Sequence, residues 1–83
     1  MIEIDFTTKP EIAPEYFVDK SGAKYLYDDN RKYHSYNDLP AVIYSDGSKF
    51  WFKHGLIHRN NNLPAVVRYN GLKVWYENRI RIK

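Results

Sequence analysis

Two stretches of this chain follow the same pattern, with 7 of 17 residues identical: LPAVIYSDGSKFWFKHG at residues 39–55 and LPAVVRYNGLKVWYENR at residues 63–79. The offset is 24 residues, and it places Trp51 and Trp75 at equivalent positions. Repetition at a fixed period is typical of proteins in which one unit cannot bury its apolar face alone and neighbouring copies cover it. The sequence therefore predicts a fold built from stacked copies of one short unit.

A weaker third copy precedes these two. It has a turn glycine at Gly22, a lysine at Lys24 and a histidine at His34, but it needs one extra residue between Gly22 and His34 and lacks the Leu-Pro start. Before it, Ile2, Ile4 and Phe6 alternate, which indicates a further strand or an arm laid across the sheet. We expect a single domain divided into an N-terminal strand or arm (1–17), a degenerate copy (18–38) and two full copies (39–62 and 63–83).

The dipeptides Asp46-Gly47 and Asn70-Gly71 are strong hairpin signals, because a two-residue type I′ turn requires positive φ at both central positions. The flanking runs are rich in β-branched and aromatic residues, which favour strands. A second turn at His54-Gly55 then returns the chain through a short strand. The predicted fold class is all-β: an antiparallel meander of about three hairpin copies, a single layer covered by the N-terminal arm or by a second protomer.

The phrase LPAVIYSDGSKFWFKHGLIHR, with its turn glycines and aromatic strand, resembles MORN-type repeats, in particular their short relatives in bacteria and phages. The resemblance covers roughly residues 18–83. It implies an antiparallel hairpin fold and a scaffold that contacts proteins or lipids, with no catalytic role. The sequence departs from that pattern at Asn78-Arg79, where a glycine is expected.

The chain has 83 residues and no cysteine, so we expect one small domain without disulfides or thiolate metal sites. Acidic residues near the start and the absence of a long apolar run argue against a signal peptide or a transmembrane helix. These features predict a soluble cytoplasmic protein. Abundant Asn, Lys, Tyr and Ile suggest an AT-rich gene, as in phages, and the location would then be the cytoplasm of the host cell.

Charge is divided between the two halves of the sequence. Residues 1–46 hold nine acidic and five basic residues, whereas residues 47–83 hold eight basic residues and one acidic residue, Glu77. Such a division predicts that the basic half meets an acidic surface, either on a protein partner or on the acidic half of a second copy in a homodimer. No membrane partner is predicted.

A two-residue turn at Asp46-Gly47 would pair Val42 with Trp51 and would sort the side chains onto two faces. We expect the face of Phe, Val and Ile to form the core and the face of Trp and Lys to contact a partner. A slip of one residue would exchange the two faces. A separate alternative for Trp51 and Trp75 is that they fill the core of this small domain. The predicted partner-binding residues are Trp51, Trp75, Lys49, Lys53, His58, Arg68 and Lys73.

Residues that could carry catalysis are few. His54 and His58 are four apart, which suits a zinc site on a helix but not in a hairpin. Asp28-Asp29 could ligate a cation, although a solvated turn is the simpler interpretation. There is no phosphate-binding glycine loop and no nucleophile elbow. We expect no enzyme, no metal site and no cofactor.

The favoured interpretation is a small non-enzymatic protein-binding module, such as an inhibitor encoded by a phage or mobile element that blocks a bacterial defence or regulatory protein by occupying its surface. The first alternative is a nucleic-acid-binding sheet, in which Trp and Tyr stack on bases while Lys and Arg follow the backbone. The second alternative is a structural homo-oligomer whose sheets pair through residues 80–82.

Overall fold

The computed structural model describes residues 14–83, and within this range the protein contains no helix. All of its strand pairs are antiparallel, so the predicted all-β class is confirmed. The predicted N-terminal strand or arm, with Ile2, Ile4 and Phe6, lies outside the described residues. The strands are β1 (Phe17–Val18), β2 (Lys24–Tyr25), β3 (Val42–Ile43), β4 (Lys49–Phe50), β5 (Phe52–Lys53), β6 (Leu56–Ile57), β7 (Val66–Val67), β8 (Lys73–Val74), β9 (Tyr76–Glu77) and β10 (Ile80–Arg81).

The strands form one central sheet with small hairpins beside it. The central sheet has six strands in the order β1-β2-β3-β4-β7-β8, and the pairs β5–β6 and β9–β10 form separate two-stranded ribbons. The first copy has a single bridge between Tyr27 and Tyr33 where the others have a ribbon. Each copy therefore contributes one hairpin to the central sheet and one returning hairpin. The predicted return through Leu56–Ile57 is confirmed as β6.

The hairpin turns of the central sheet differ from the predicted type. The backbone N–H of Gly47 donates to the carbonyl of Tyr44 at 2.9 Å, and the N–H of Tyr44 donates to the carbonyl of Ser48 at 2.9 Å. Among the loop residues 45–47, Gly47 alone has a positive φ, at 94°. This is the three-residue loop in which a type I turn is followed by a left-handed glycine and a bulge.

The longer loop moves the register by one residue. Val42 pairs with Phe50, and Ile43 pairs with Lys49, so the predicted pairing of Val42 with Trp51 is wrong. The next copy shows the same shift. Because neighbouring residues on a strand point to opposite faces, the shift places the buried Val42 on one face with Phe50 and places Lys49 on one face with Ile43.

Two-residue turns with positive φ at both positions occur in the returning hairpins instead. His54 and Gly55 have φ of 46° and 87°, and Asn78 and Arg79 have φ of 47° and 74°. These are the backbone requirements of a type I′ turn. The glycine missing from the third copy thus leaves Arg79 in a left-handed conformation, which an arginine adopts at an energetic cost.

The core is narrow and is formed by small and branched residues together with one tryptophan. Between copies, the position of Leu26 corresponds to that of Trp51, since the backbone N–H groups of both donate to an alanine carbonyl of the next copy at 2.8 Å. The extra residue of the first copy therefore lies in the turn between Tyr27 and Tyr33. The buried apolar side chains are Ala23, Leu26, Ala41, Val42, Trp51, Ala65 and Val66.

Candidate interaction surface

One row of residues crosses the central sheet from edge to edge. Residues that pair across antiparallel strands share a face, so the register can be followed from β1 to β8. The row alternates an aliphatic residue with a lysine at every step. We call it the lysine row, and its members are Val18, Lys24, Ile43, Lys49, Val67 and Lys73.

The lysine row is basic and only partly apolar. All three lysine side chains are exposed, whereas Ile43 and Val67 are half-buried between them. Neighbouring strands lie about 4.8 Å apart, so successive ammonium-bearing strands are about 10 Å apart. Within residues 14–83, no hydrogen bond or ion pair engages these three ammonium groups. The row therefore presents three cations without a counter-charge on a strip of aliphatic surface.

Sequence reasoning placed Lys49 and Lys73 in the interaction site but omitted Lys24. The signal was present, because each of these lysines follows its turn glycine by two residues, at Gly22, Gly47 and Gly71. The predicted register did not show the row, because the row exists only when Lys49 pairs with Ile43.

Trp51 lies in the core, so its predicted place on an exposed contact face is wrong. Its side chain is 6% exposed, and its indole N–H donates to the carbonyl of Asp38 at 2.9 Å. The guanidinium of Arg59 lies 3.8 Å from the ring centroid, and its Nε donates to Asp38 at 3.0 Å. Trp51 thus packs between neighbouring copies under a cation, and its ring is not available to a partner.

Trp75 repeats this arrangement at the end of the described chain with less cover. Its indole N–H donates to the carbonyl of Asn62 at 3.0 Å, and the ammonium of Lys83 lies 5.5 Å from its ring. The side chain is half-buried. The equivalence of Arg59 and Lys83 explains the difference, since a lysine makes neither the planar stacking nor the two-pronged carboxylate contact of an arginine.

Of the remaining predicted site residues, Lys53 and His58 line one cleft with Trp51, whereas Arg68 is not part of that cleft. Lys53 and Arg68 are exposed, in β5 and beside the β7–β8 turn. His58 is half-buried, and both of its ring nitrogens are engaged. Its Nδ1 accepts the backbone N–H of Asn78 at 2.9 Å, and its Nε2 lies 2.7 Å from the side-chain oxygen of Asn60. His58 is therefore a structural residue of the copy boundary.

A second polar group lies beside the returning hairpin of the second copy. The Nδ1 of His54 lies 2.7 Å from a carboxylate oxygen of Asp28, and this contact is the main cause that lowers the pKa of Asp28 to about 2. A cleft of about 440 Å³ nearby is lined by Tyr27, Tyr33 and Leu56 among others. In the described part of the chain, no three His, Asp or Glu side chains lie together in a way that could hold a metal ion.

Comparison with protein-family models, with curated proteins and with solved structures gives no match. The resemblance to MORN-type repeats thus stays a prediction. Over residues 14–83, the protein has no helix long and apolar enough to cross a membrane.

Proposed function

We propose that the chain is a non-enzymatic protein-binding module that uses the lysine row to bind an acidic surface on another protein. The observation that carries the proposal is the row itself, with Lys24, Lys49 and Lys73 at equivalent positions and without internal counter-charges. Exposed cations of this kind raise the association rate with acidic partners, and the aliphatic residues between them add apolar contact.

The aromatic residues favour a protein partner over a nucleic acid. A sheet that binds single strands needs free aromatic faces on which bases stack. Here the face of Trp51 is covered by Arg59, and Tyr27 and Tyr33 stack on each other with ring centroids 5.4 Å apart. Trp51, Tyr27 and Tyr33 are thus engaged within the protein, whereas the exposed aromatic residues Phe17, Tyr44 and Tyr69 lie outside the lysine row.

Occupation of a partner's surface is then the mechanism. A rigid sheet that places three cations about 10 Å apart matches carboxylates at a similar spacing, and bound protein excludes other ligands from that surface. This mechanism requires no catalytic group. It suits an inhibitor encoded by a phage or mobile element and directed against a bacterial protein.

The test compares two double variants that change net charge equally. Lys24→Glu with Lys49→Glu reverses the lysine row, whereas Lys20→Glu with Lys53→Glu reverses two exposed lysines outside it. Poly-L-glutamate serves as a model acidic chain and oligo-dT as a model nucleic acid, at matched salt. We expect the row variant to weaken poly-L-glutamate binding about tenfold or more, and the control variant to change it by less than about threefold.

Equal losses in the two double variants would show that only net charge matters and would overturn the proposal. Tighter binding of oligo-dT than of poly-L-glutamate, lost in the row variant, would replace it with the nucleic-acid alternative. Pull-down from a bacterial host lysate should then give at least one protein that the wild type and the control variant retain and the row variant loses.

A further inference from the structure

The central sheet grows by one rule at each boundary between copies. The second strand of a copy pairs with the first strand of the next: β2 pairs with β3 through Lys24 and Ile43, and β4 pairs with β7 through Lys49 and Val67. At the two ends of the described sheet, the edge strand has no neighbouring copy with which to pair. Among the described strands, β8 is a second strand with no following neighbour, and β1 is a first strand with no preceding one.

In each edge strand, one residue holds the position that pairs with a neighbouring copy elsewhere in the sheet. The backbone N–H and C=O groups of that residue point away from the sheet. The N–H of Arg68 donates to the carbonyl of Leu72 at 2.8 Å, and the N–H of Asp19 donates to the carbonyl of Ala23 at 3.0 Å. Bonded and non-bonded pairs alternate along an antiparallel ladder. The N–H and C=O of Lys73 and Val18, one residue farther along, therefore point away from their own hairpins.

Burial shows what a following copy covers. Ala23 and Ser48 hold equivalent positions in the first two copies and are 1% and 2% exposed. The third copy has Leu72 at this position, and it is 57% exposed. Tyr69, just after the first strand of the third copy, donates its backbone N–H to Ser48 Oγ at 3.0 Å. Ser48 is therefore covered by the first strand of the following copy and the residues beside it.

The two ends also differ in charge. Around β1, residues 14–23 hold two acidic residues and one basic residue, whereas residues 63–83 hold five basic residues and one acidic residue. Two acidic ends or two basic ends would repel each other, while an acidic end and a basic end attract. The charges therefore favour contact between unlike ends.

We propose that a second copy of this chain docks head to tail, so that β8 of one molecule pairs with β1 of the next through Lys73 and Val18. This pairing reproduces those of Lys24 with Ile43 and Lys49 with Val67. It also continues the alternation of the lysine row from one molecule into the next. The contact joins unlike surfaces, so both ends of a pair remain open and assembly proceeds into linear chains. The inference rests on the sheet edges and is independent of the proposed function.

The test uses edge variants with matched controls. Lys73→Pro removes the outward N–H, and Lys73→Ala removes the same side chain but keeps that N–H; Val18→Pro and Val18→Ala form the corresponding pair at the other edge. Light scattering from about 10 µM to about 1 mM covers the range in which small interfaces dissociate. We expect the mass of the wild type and of both alanine variants to rise with concentration above twice the 9.9 kDa of one chain.

Each proline variant should remain a monomer by itself, because it has lost one of its two ends. An equimolar mixture of Lys73→Pro and Val18→Pro should form capped dimers at twice 9.9 kDa, since each supplies the end that the other lacks. Leu72→Glu, at an exposed position, gives a second edge variant that should stay folded and monomeric. A wild type that is monomeric throughout the range, or a folded proline variant that still dimerises alone, would overturn the proposal.

Discussion

The imidazole Nδ1 of His34 accepts the backbone N–H of His54 at 3.1 Å, which joins the first copy to the returning hairpin of the second. The relationship recurs 24 residues later, where His58 Nδ1 accepts the N–H of Asn78 at 2.9 Å. A ring nitrogen that accepts a hydrogen bond carries no proton, so the neutral tautomer with its hydrogen on Nε2 is the one that fits. His34 and His58 thus each hold the type I′ turn of the returning hairpin in the next copy.

Replacing His34 by alanine should destabilise the protein by about 1–3 kcal/mol, because the N–H of His54 loses its acceptor inside the protein. His58→Ala should cost less, since His58 is only half-buried and water can reach its site. Urea unfolding followed by tryptophan fluorescence measures both. An effect of His34→Ala no larger than that of His58→Ala would argue against the structural role.

Trp51→Ala should destabilise the fold by about 3–5 kcal/mol, the range for a buried large side chain, and it should unfold a domain of this size. Trp75→Ala should cost clearly less, because Trp75 is half-buried at the end of the stack. Thermal unfolding by circular dichroism compares the two variants directly. Equal losses would mean that the third copy is covered as fully as the second.

Arg79→Gly should stabilise the protein by about 0.5–1 kcal/mol, because it relieves a left-handed arginine while adding chain entropy to the unfolded state. Gly55→Ala is the converse change at the equivalent turn, where φ is +87° and a new Cβ would lie 3.2 Å from Lys32 Cδ. It should be destabilising. Arg81→Gly, a control in β10, should also destabilise, since a glycine inside a strand loses entropy.

Acid should weaken the fold through Asp28. Its pKa is lowered from 3.8 to about 2, chiefly by the contact with His54, so the carboxylate stabilises the folded state above pH 3.8 and this contribution disappears as the pH falls towards 2. Asp28→Asn should lower the melting temperature at neutral pH. Between pH 3.8 and pH 2, the melting temperature of this variant should fall less steeply than that of the wild type. Asp29→Asn is the matched control at the adjacent exposed position. A variant with the wild-type slope would contradict this assignment.

Much of the fold follows from the sequence, because its signals are local. The turn glycines, the β-branched and aromatic strands and the return at His54-Gly55 predict the order of hairpins correctly. The register could not be predicted, because Asp46-Gly47 fits both a two-residue loop and a three-residue loop with a left-handed glycine. That single residue decides whether Val42 pairs with Trp51 or with Phe50, and hence which residues of β3 share a face with Lys49.

The candidate site was affected by the same ambiguity. Lys49 and Lys73 were selected for their charge, and that choice needed no register. Trp51 is predicted on the contact face, but its side chain is buried beneath Arg59 and bonded to Asp38, contacts that the sequence pattern does not show. Lys24 follows Gly22 by two residues, as Lys49 follows Gly47, so its equivalence is visible in the sequence, whereas its place in the row follows from its pairing with Ile43.

The contacts between copies, from the strand pairs β2–β3 and β4–β7 to the side-chain bonds of Asp38 with Arg59 and Asn62 with Lys83, each join one copy to its immediate neighbour. Length is therefore a property that this architecture can vary without redesign. An in-frame duplication of residues 39–62 would meet the same partners on both sides and lengthen the central sheet by two strands, or about 10 Å. Gene duplication could thus set the reach of the molecule in equal steps, with one more lysine added to the row at each step.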